Sequence, residues 1–94
     1  MGFFSSAGDK YSNDEKSLSE IEIKQLVSRT KVKTLDANEE KAVESAISKR
    51  RKGDGKISLR QIYEALTLLK SAGRISQYDR TGLMTVFQEY FESK

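Results

Sequence analysis

Apolar residues recur at helical spacing in four stretches of the chain, and polar residues fill most positions between them. Residues three and four positions apart lie on one face of a helix, so the pattern predicts four amphipathic helices. The predicted buried faces are Ile23, Leu26 and Val27 in the first helix, Ala42, Val43, Ala46 and Ile47 in the second, Leu59, Ile62, Leu66 and Leu69 in the third, and Leu83, Val86, Phe87, Tyr90 and Phe91 in the fourth.

Each predicted helix opens with a pair of residues that can form a capping box. In this motif the first side chain accepts a hydrogen bond from the backbone three residues later, and the later side chain returns the bond. The motif marks where a helix begins, so it predicts helix starts near positions 19, 36, 58 and 76. The pairs are Ser19 with Glu22, Asp36 with Glu39, Ser58 with Gln61, and Ser76 with Asp79.

Two glycines are predicted to end helices, because glycine readily adopts the left-handed conformation that closes many helices. Gly53 follows the second helix and its basic residues 49–52, and Gly73 follows the third helix. The sequence therefore predicts an all-α fold, a small bundle of about four helices, over residues 18–94.

Residues 1–17 lack this periodicity. They are mostly polar, and we expect them to form a flexible amino-terminal arm. Phe3 and Phe4 are the exceptions in this segment. They either fold back onto the helices, stay frayed, or anchor a partner or a membrane.

Composition narrows the classes of function. A chain of 94 residues is expected to form one domain. It contains neither cysteine nor histidine, which excludes disulfides, zinc sites built on those residues and histidine-dependent catalysis. The chain has no nucleophile motif and no phosphate-cradling glycine loop, so we expect no enzyme activity and no cofactor. No apolar run has the length of a membrane span, and the default expectation is a cytoplasmic location.

The positive charge of the chain is concentrated in one stretch. The formal net charge is +3, whereas residues 49–60 contain six cations and a single acid, Asp54. Such a local excess is a candidate patch for contacting the phosphates of a nucleic acid. Alternatively, residues 49–52 form an ordinary solvated helix end, where cations favour the helix dipole. The candidate patch consists of Lys49, Arg50, Arg51, Lys52, Lys56 and Arg60.

The string GDGKIS, followed by LRQIYEALTLL, resembles the second half of an EF-hand. In that family a glycine makes the sharp turn of the loop and an aliphatic residue follows two positions later, and Gly55 and Ile57 match these roles. The resemblance covers residues 50–69 and implies a helix–loop–helix. The apolar stripe of the exit helix is matched by Ile62, Ala65, Leu66 and Leu69.

The same resemblance implies which residues would occupy the calcium-ligand positions. Calcium requires several oxygen ligands, most of them anionic. Only one of the residues at these positions is a carboxylate and two are cations, so we expect a loop that does not bind calcium. An unrelated turn between two helices remains the alternative. The five positions are taken by Arg50, Lys52, Asp54, Ser58 and Gln61.

Two hypotheses of function follow. The first is a non-catalytic protein-interaction or regulatory module, whose partner protein would meet an apolar groove between helices, as the EF-hand resemblance implies. The second is a small nucleic-acid-binding protein that uses residues 49–60. The sequence leaves the partner and the oligomeric state open. The candidate groove residues are Tyr63, Leu68, Phe87 and Phe91.

Overall fold

A computed structural model describes residues 11–29 and 35–93 of the chain. These residues form four helices and one small two-stranded sheet, which confirms the predicted all-α bundle of about four helices. Phe3 and Phe4 lie outside the described residues. In chain order the elements are β1 (Glu15–Ser17), α1 (Glu20–Arg29), α2 (Ala37–Arg50), β2 (Lys56–Ser58), α3 (Leu59–Ser71) and α4 (Gln77–Glu92).

All four predicted capping boxes are present. At the start of α3, for example, the Gln61 backbone N–H donates to the Ser58 hydroxyl at 3.1 Å, and the Ser58 N–H donates to the Gln61 side chain at 2.9 Å. The same reciprocal bonds open α1, α2 and α4. In α4 the capping acid, Asp79, is also buried. A capping residue contributes about 1 kcal/mol, so each helix start is specified by its own local sequence.

The end of α2 differs from the prediction. The helix stops at Arg50, before Gly53, because Arg51 already has an extended backbone with φ −67° and ψ 144°. The left-handed residue of this loop is Gly55, with φ 83°. Gly73 after α3 takes φ 75°, as predicted.

The predicted flexible arm is wrong for its last residues. Glu15–Ser17 form β1, which pairs antiparallel with β2 in a register that sets Lys16 opposite Ile57. The Leu18 N–H extends the pairing by donating to the Gly55 carbonyl at 3.0 Å. A strand of three residues gives no periodic signal of its own, which explains why the sequence pattern did not reveal it.

The helices enclose a single core. Helix α3 packs against α2 and α4, while α1 packs against α2 and α4. Six residues from the predicted buried faces of the third and fourth helices belong to this core: four are buried, and Leu69 and Tyr90 pack against them while partly exposed. The buried four are Ile62, Leu66, Leu83 and Phe87.

The carboxyl end of α4 is tied to the amino-terminal part of the structure. The Lys16 ammonium donates to the Phe91 carbonyl at 2.8 Å, and the Tyr90 hydroxyl donates to the Glu22 carboxylate. A cation at the last carbonyl groups of a helix also favours the helix dipole. No helix in residues 11–29 and 35–93 combines the length and the hydrophobicity that crossing a bilayer requires.

Replacing Leu66 with alanine tests the packing of α3. Leu66 is fully buried, so Leu66→Ala should lower the free energy of unfolding by roughly 2–5 kcal/mol, measured by chemical denaturation. Leu68→Ala is the matched control, since it removes the same atoms from an exposed side chain of the same helix and should change stability by only about 0.5 kcal/mol. Equal effects of the two substitutions would mean that α3 presents a different face to the core.

Candidate functional site

The loop between α2 and β2 is closed by its own hydrogen bonds. The Gly55 N–H donates to the Lys52 carbonyl at 2.8 Å, and the Lys52 N–H donates to the Lys56 carbonyl at 3.0 Å. The Asp54 carboxylate accepts the Lys56 N–H at 3.1 Å, which is a local side-chain turn. Three hydrogen bonds within residues 52–56 therefore close the loop.

Three side-chain oxygens at the positions that the EF-hand resemblance assigns to calcium ligands are engaged in hydrogen bonds as well. Besides the Asp54 carboxylate, the Ser58 hydroxyl and the Gln61 side-chain oxygen are held in the capping box of α3. The Lys56 carbonyl, where a calcium loop would use a backbone ligand, accepts from Lys52. Among the described residues no group of three or more acidic side chains is placed to hold a metal ion.

Three of the four cations in the run 49–52 form ion pairs within the fold. Arg50 lies 3.1 Å from Glu64 of α3, and Lys52 lies 2.8 Å from Glu15 of β1. Arg51 lies 3.6 Å from Glu20 of α1. We call Arg50, Arg51 and Lys52 with these three glutamates the basic clasp, because it connects the loop to three other elements. Arg51 and Lys52 lie beyond the end of α2, so the predicted solvated helix end extends only to Arg50.

Arg51 makes the most protected contact of the basic clasp. Its guanidinium Nη1 donates to the Leu18 carbonyl at 3.0 Å, and only 20% of its side chain is exposed, compared with 72% for its acidic partner Glu20. The same Nη1 would lie 3.6 Å from a Cβ at Gly55, so the guanidinium covers the turn. Exposed ion pairs contribute about 0–1 kcal/mol, whereas a hydrogen bond from a charged donor contributes about 1.5–3 kcal/mol. The bond to Leu18 is therefore the main contribution of Arg51.

The remaining members of the predicted phosphate patch, Lys49, Lys56 and Arg60, differ in their exposure. Lys49 and Lys56 are exposed, and neither forms an ion pair with another described residue. Arg60 is half-buried at the start of α3, where its backbone N–H donates to the Ser12 carbonyl at 3.2 Å. Within residues 11–29 and 35–93, two of the six cations are therefore exposed side chains without an ion pair.

Among the described residues, Lys52 and Tyr11 have shifted pKa values. The hydrogen bond and charge of Glu15 raise the pKa of Lys52, so Lys52 stays protonated at neutral pH. Burial and the neighbouring Tyr63 raise the pKa of Tyr11, against the opposing effect of Arg80. Tyr11 stacks on Tyr63 with ring centroids 5.1 Å apart, and the Arg80 guanidinium lies 4.9 Å from the centre of the Tyr63 ring.

The four predicted groove residues do not line one groove. Phe87 and Phe91 are only 0% and 3% exposed, because α4 turns both side chains into the core. Tyr63 is half-buried beneath Tyr11, whereas Leu68 is 60% exposed on α3. Of the four, Leu68 is the one with an exposed side chain.

Leu68 belongs instead to a depression between α2 and α3, which we call the α2–α3 slot. Its volume is about 270 Å³. The small side chains of Ala46 and Ala65 leave this space. The slot is lined by Ala46, Lys49, Arg50, Ala65, Leu68 and Leu69.

A second, more polar groove lies between α1 and α2 and has a volume of about 570 Å³. Three lysines line it, Lys24, Lys41 and Lys49, and we call it the lysine groove. Lys49 lines both the slot and the lysine groove, so the two depressions adjoin at this residue. Sequence reasoning missed the groove, because its lysines are far apart in the sequence.

Comparison of the chain with protein-family models, with curated proteins and with solved structures found no match.

Removing the Arg51 guanidinium tests whether the basic clasp stabilises the fold. Arg51→Gln should lower the free energy of unfolding by about 1.5–3 kcal/mol, because the Leu18 carbonyl loses its charged donor. Lys49→Gln is the control, since it removes an exposed cation two residues away and should change stability by about 0.5 kcal/mol or less. Thermal and chemical denaturation at low and high salt measure the stability of both variants. An Arg51→Gln protein as stable as the control would contradict the structural role of this residue.

Proposed function

We propose that the chain is a non-catalytic protein-interaction module, with an EF-hand-like helix–loop–helix that does not bind calcium. The observation that carries this proposal is the basic clasp. Cations stand at two calcium-ligand positions, Arg50 and Lys52, and both are paired with glutamates of other elements. The loop is thereby held in shape by the chain itself, without the positive ion that an EF-hand loop would use.

The nature of the exposed surface supports an interaction role. Leu68 projects from the α2–α3 slot, which is lined by small or aliphatic side chains together with Lys49 and Arg50. Isolated exposed apolar residues are common on protein surfaces. An exposed leucine beside an apolar depression can contact the anchor residue of a partner. The expectations of a regulatory role and of a cytoplasmic location remain predictions.

The acids of the described residues favour structural roles over catalysis. Asp79 is the only buried acid among them, and it caps α4 through its bonds with Ser76. Glu15, Glu20 and Glu64 serve the basic clasp. These observations support the proposal of a non-catalytic protein.

Binding of nucleic acid is the second candidate function. The observation in its favour is that Lys49 and Lys56 are exposed cations that make no ion pair with another described residue. Each phosphate that a protein neutralises on duplex DNA contributes about 0.9 to the slope of log affinity against log salt. Two such contacts supply much less affinity than the six cations that the sequence offered.

Calcium should leave the protein unchanged. Calcium added to roughly 5 mM exceeds the dissociation constants of the weakest EF-hand sites, about 1 mM. We expect no saturable shift of the amide resonances of residues 53–61 and no rise in melting temperature. Sodium chloride at matched ionic strength is the control, because salt alone weakens exposed ion pairs such as Lys52 with Glu15. Saturable shifts centred on Asp54 that calcium causes and sodium does not would disprove this part of the proposal.

Affinity capture with and without nuclease distinguishes the two functions. The chain is immobilised and exposed to a cell extract, and the Lys56→Gln variant is tested beside it, because Lys56 lines neither the α2–α3 slot nor the lysine groove. A protein-interaction module should retain its protein partner after nuclease treatment and in the variant. Retention of nucleic acid that falls steeply with salt and weakens in the variant would reject the interaction module in favour of the second candidate.

A further inference from the structure

We infer that the α2–α3 slot and the adjoining lysine groove together bind an acidic protein segment that carries a large aliphatic or aromatic anchor. This inference rests on the proposed function as an interaction module and specifies the chemistry of its partner. The slot receives the anchor, while Lys24, Lys41 and Lys49 face the carboxylates.

The dimensions of the slot suit a side chain better than a small molecule. Its volume of about 270 Å³ is below the range of about 300–1,000 Å³ that is usual for ligand pockets. Its apolar wall is formed by Leu68, Leu69, Ala46 and Ala65, and Leu69 also packs against the core. The floor is therefore fixed by the fold, and the exposed Leu68 forms the rim that a partner would cover.

The charges beside the slot favour an acidic partner. Lys24, Lys41 and Lys49 make no ion pair with another residue in 11–29 or 35–93. The groove also contains Glu20 and Glu44, but Glu20 lies 3.6 Å from Arg51 and is partly neutralised by it. The cations of this surface thus exceed its acids, which draws carboxylates towards the groove.

Two other occupants fit the same observations less well. Nucleic acid could meet the lysines, but its phosphates would leave the apolar slot uncovered. A second copy of the chain would fill the slot with apolar atoms, but its own lysines would face those of the first copy, since each copy carries a net charge of +3. An acidic segment with an apolar anchor would place its carboxylates at the lysines and its anchor in the slot.

Three labelled synthetic peptides of equal length test the inference by fluorescence anisotropy. The first places leucine along one face of a helix and glutamate elsewhere, the second replaces the glutamates with lysine, and the third replaces the leucines with alanine. Only the first should bind saturably, and its affinity should fall as salt is raised. Binding of the second peptide equal to the first would overturn the inference.

Substitutions on the protein locate the binding surface. Leu68→Gln should weaken the first peptide about tenfold or more, because it removes the apolar rim of the slot. Tyr78→Gln, which alters an exposed side chain at the start of α4, should change affinity less than about twofold. Lys41→Gln/Lys49→Gln should weaken binding about three- to tenfold, whereas Lys56→Gln should not. Melting temperatures verify that each variant is folded, and Leu68→Ala replaces Leu68→Gln if that protein unfolds.

The remaining outcomes separate the inference from the proposed function. Absence of binding by the first peptide, with nuclease-resistant capture of a protein intact, would reject the acidic-segment inference and leave the interaction module standing. Absence of peptide binding and of nuclease-resistant protein capture would reject both the acidic-segment inference and the interaction module. Sedimentation that shows a concentration-dependent dimer, abolished by Leu68→Gln, would instead assign the slot to a second copy. An oligonucleotide that competes with the peptide at the lysines, with no effect of Leu68→Gln, would likewise overturn the inference.

Discussion

The hydrogen bond from the Arg51 guanidinium to the Leu18 carbonyl is the constraint on which the arrangement of the loop depends. Leu18 lies between β1 and α1, and its N–H bonds back to the Gly55 carbonyl. Arg51 and Gly55, at the two ends of the loop, are thereby both connected to Leu18. The exposed ion pairs of Arg50 and Lys52 add to this connection, but water and salt weaken them far more than the partly buried bond of Arg51.

The same arrangement supports the proposal of an EF-hand-like loop that does not bind calcium. An EF-hand loop draws several carboxylates around a cation, and the metal offsets their mutual repulsion. Here the cations belong to the chain, and the carboxylates come from elements outside the loop, such as Glu15 in β1. The sharp turn is supplied by Gly55 in the left-handed conformation, with its N–H bonded to the Lys52 carbonyl. In this chain, electrostatic attraction connects the loop to neighbouring elements. In an EF-hand, the metal connects the ligands of the loop to one another.

Local signals made most of the fold predictable. The capping residues Ser58 and Gln61 are three positions apart, so the interaction that starts α3 is visible in the sequence alone. The strand β1 was not predictable, because its three residues depend on a partner strand that follows α1 and α2 in the sequence. The end of α2 was misplaced, since Arg51 leaves the helix to reach Leu18, a contact between residues distant in sequence. Hydrophobic spacing correctly predicted Phe87 and Phe91 on the buried face of the fourth helix, and this burial rules out the partner groove to which both were also assigned.

The mobility of the arginine side chains, measured by nuclear magnetic resonance, tests the role of Arg51 most directly. Hydrogen bonding to Leu18 should slow rotation of the Arg51 guanidinium, so that its Nη protons give separate, slowly exchanging signals. The exposed Arg74 provides an internal reference and should give averaged signals in the same sample. The account predicts that the Arg51 signals persist at high salt, where an exposed ion pair alone would be screened. Arg51 signals as averaged as those of Arg74 would contradict the account, because the loop would then lack the bond that connects it to Leu18.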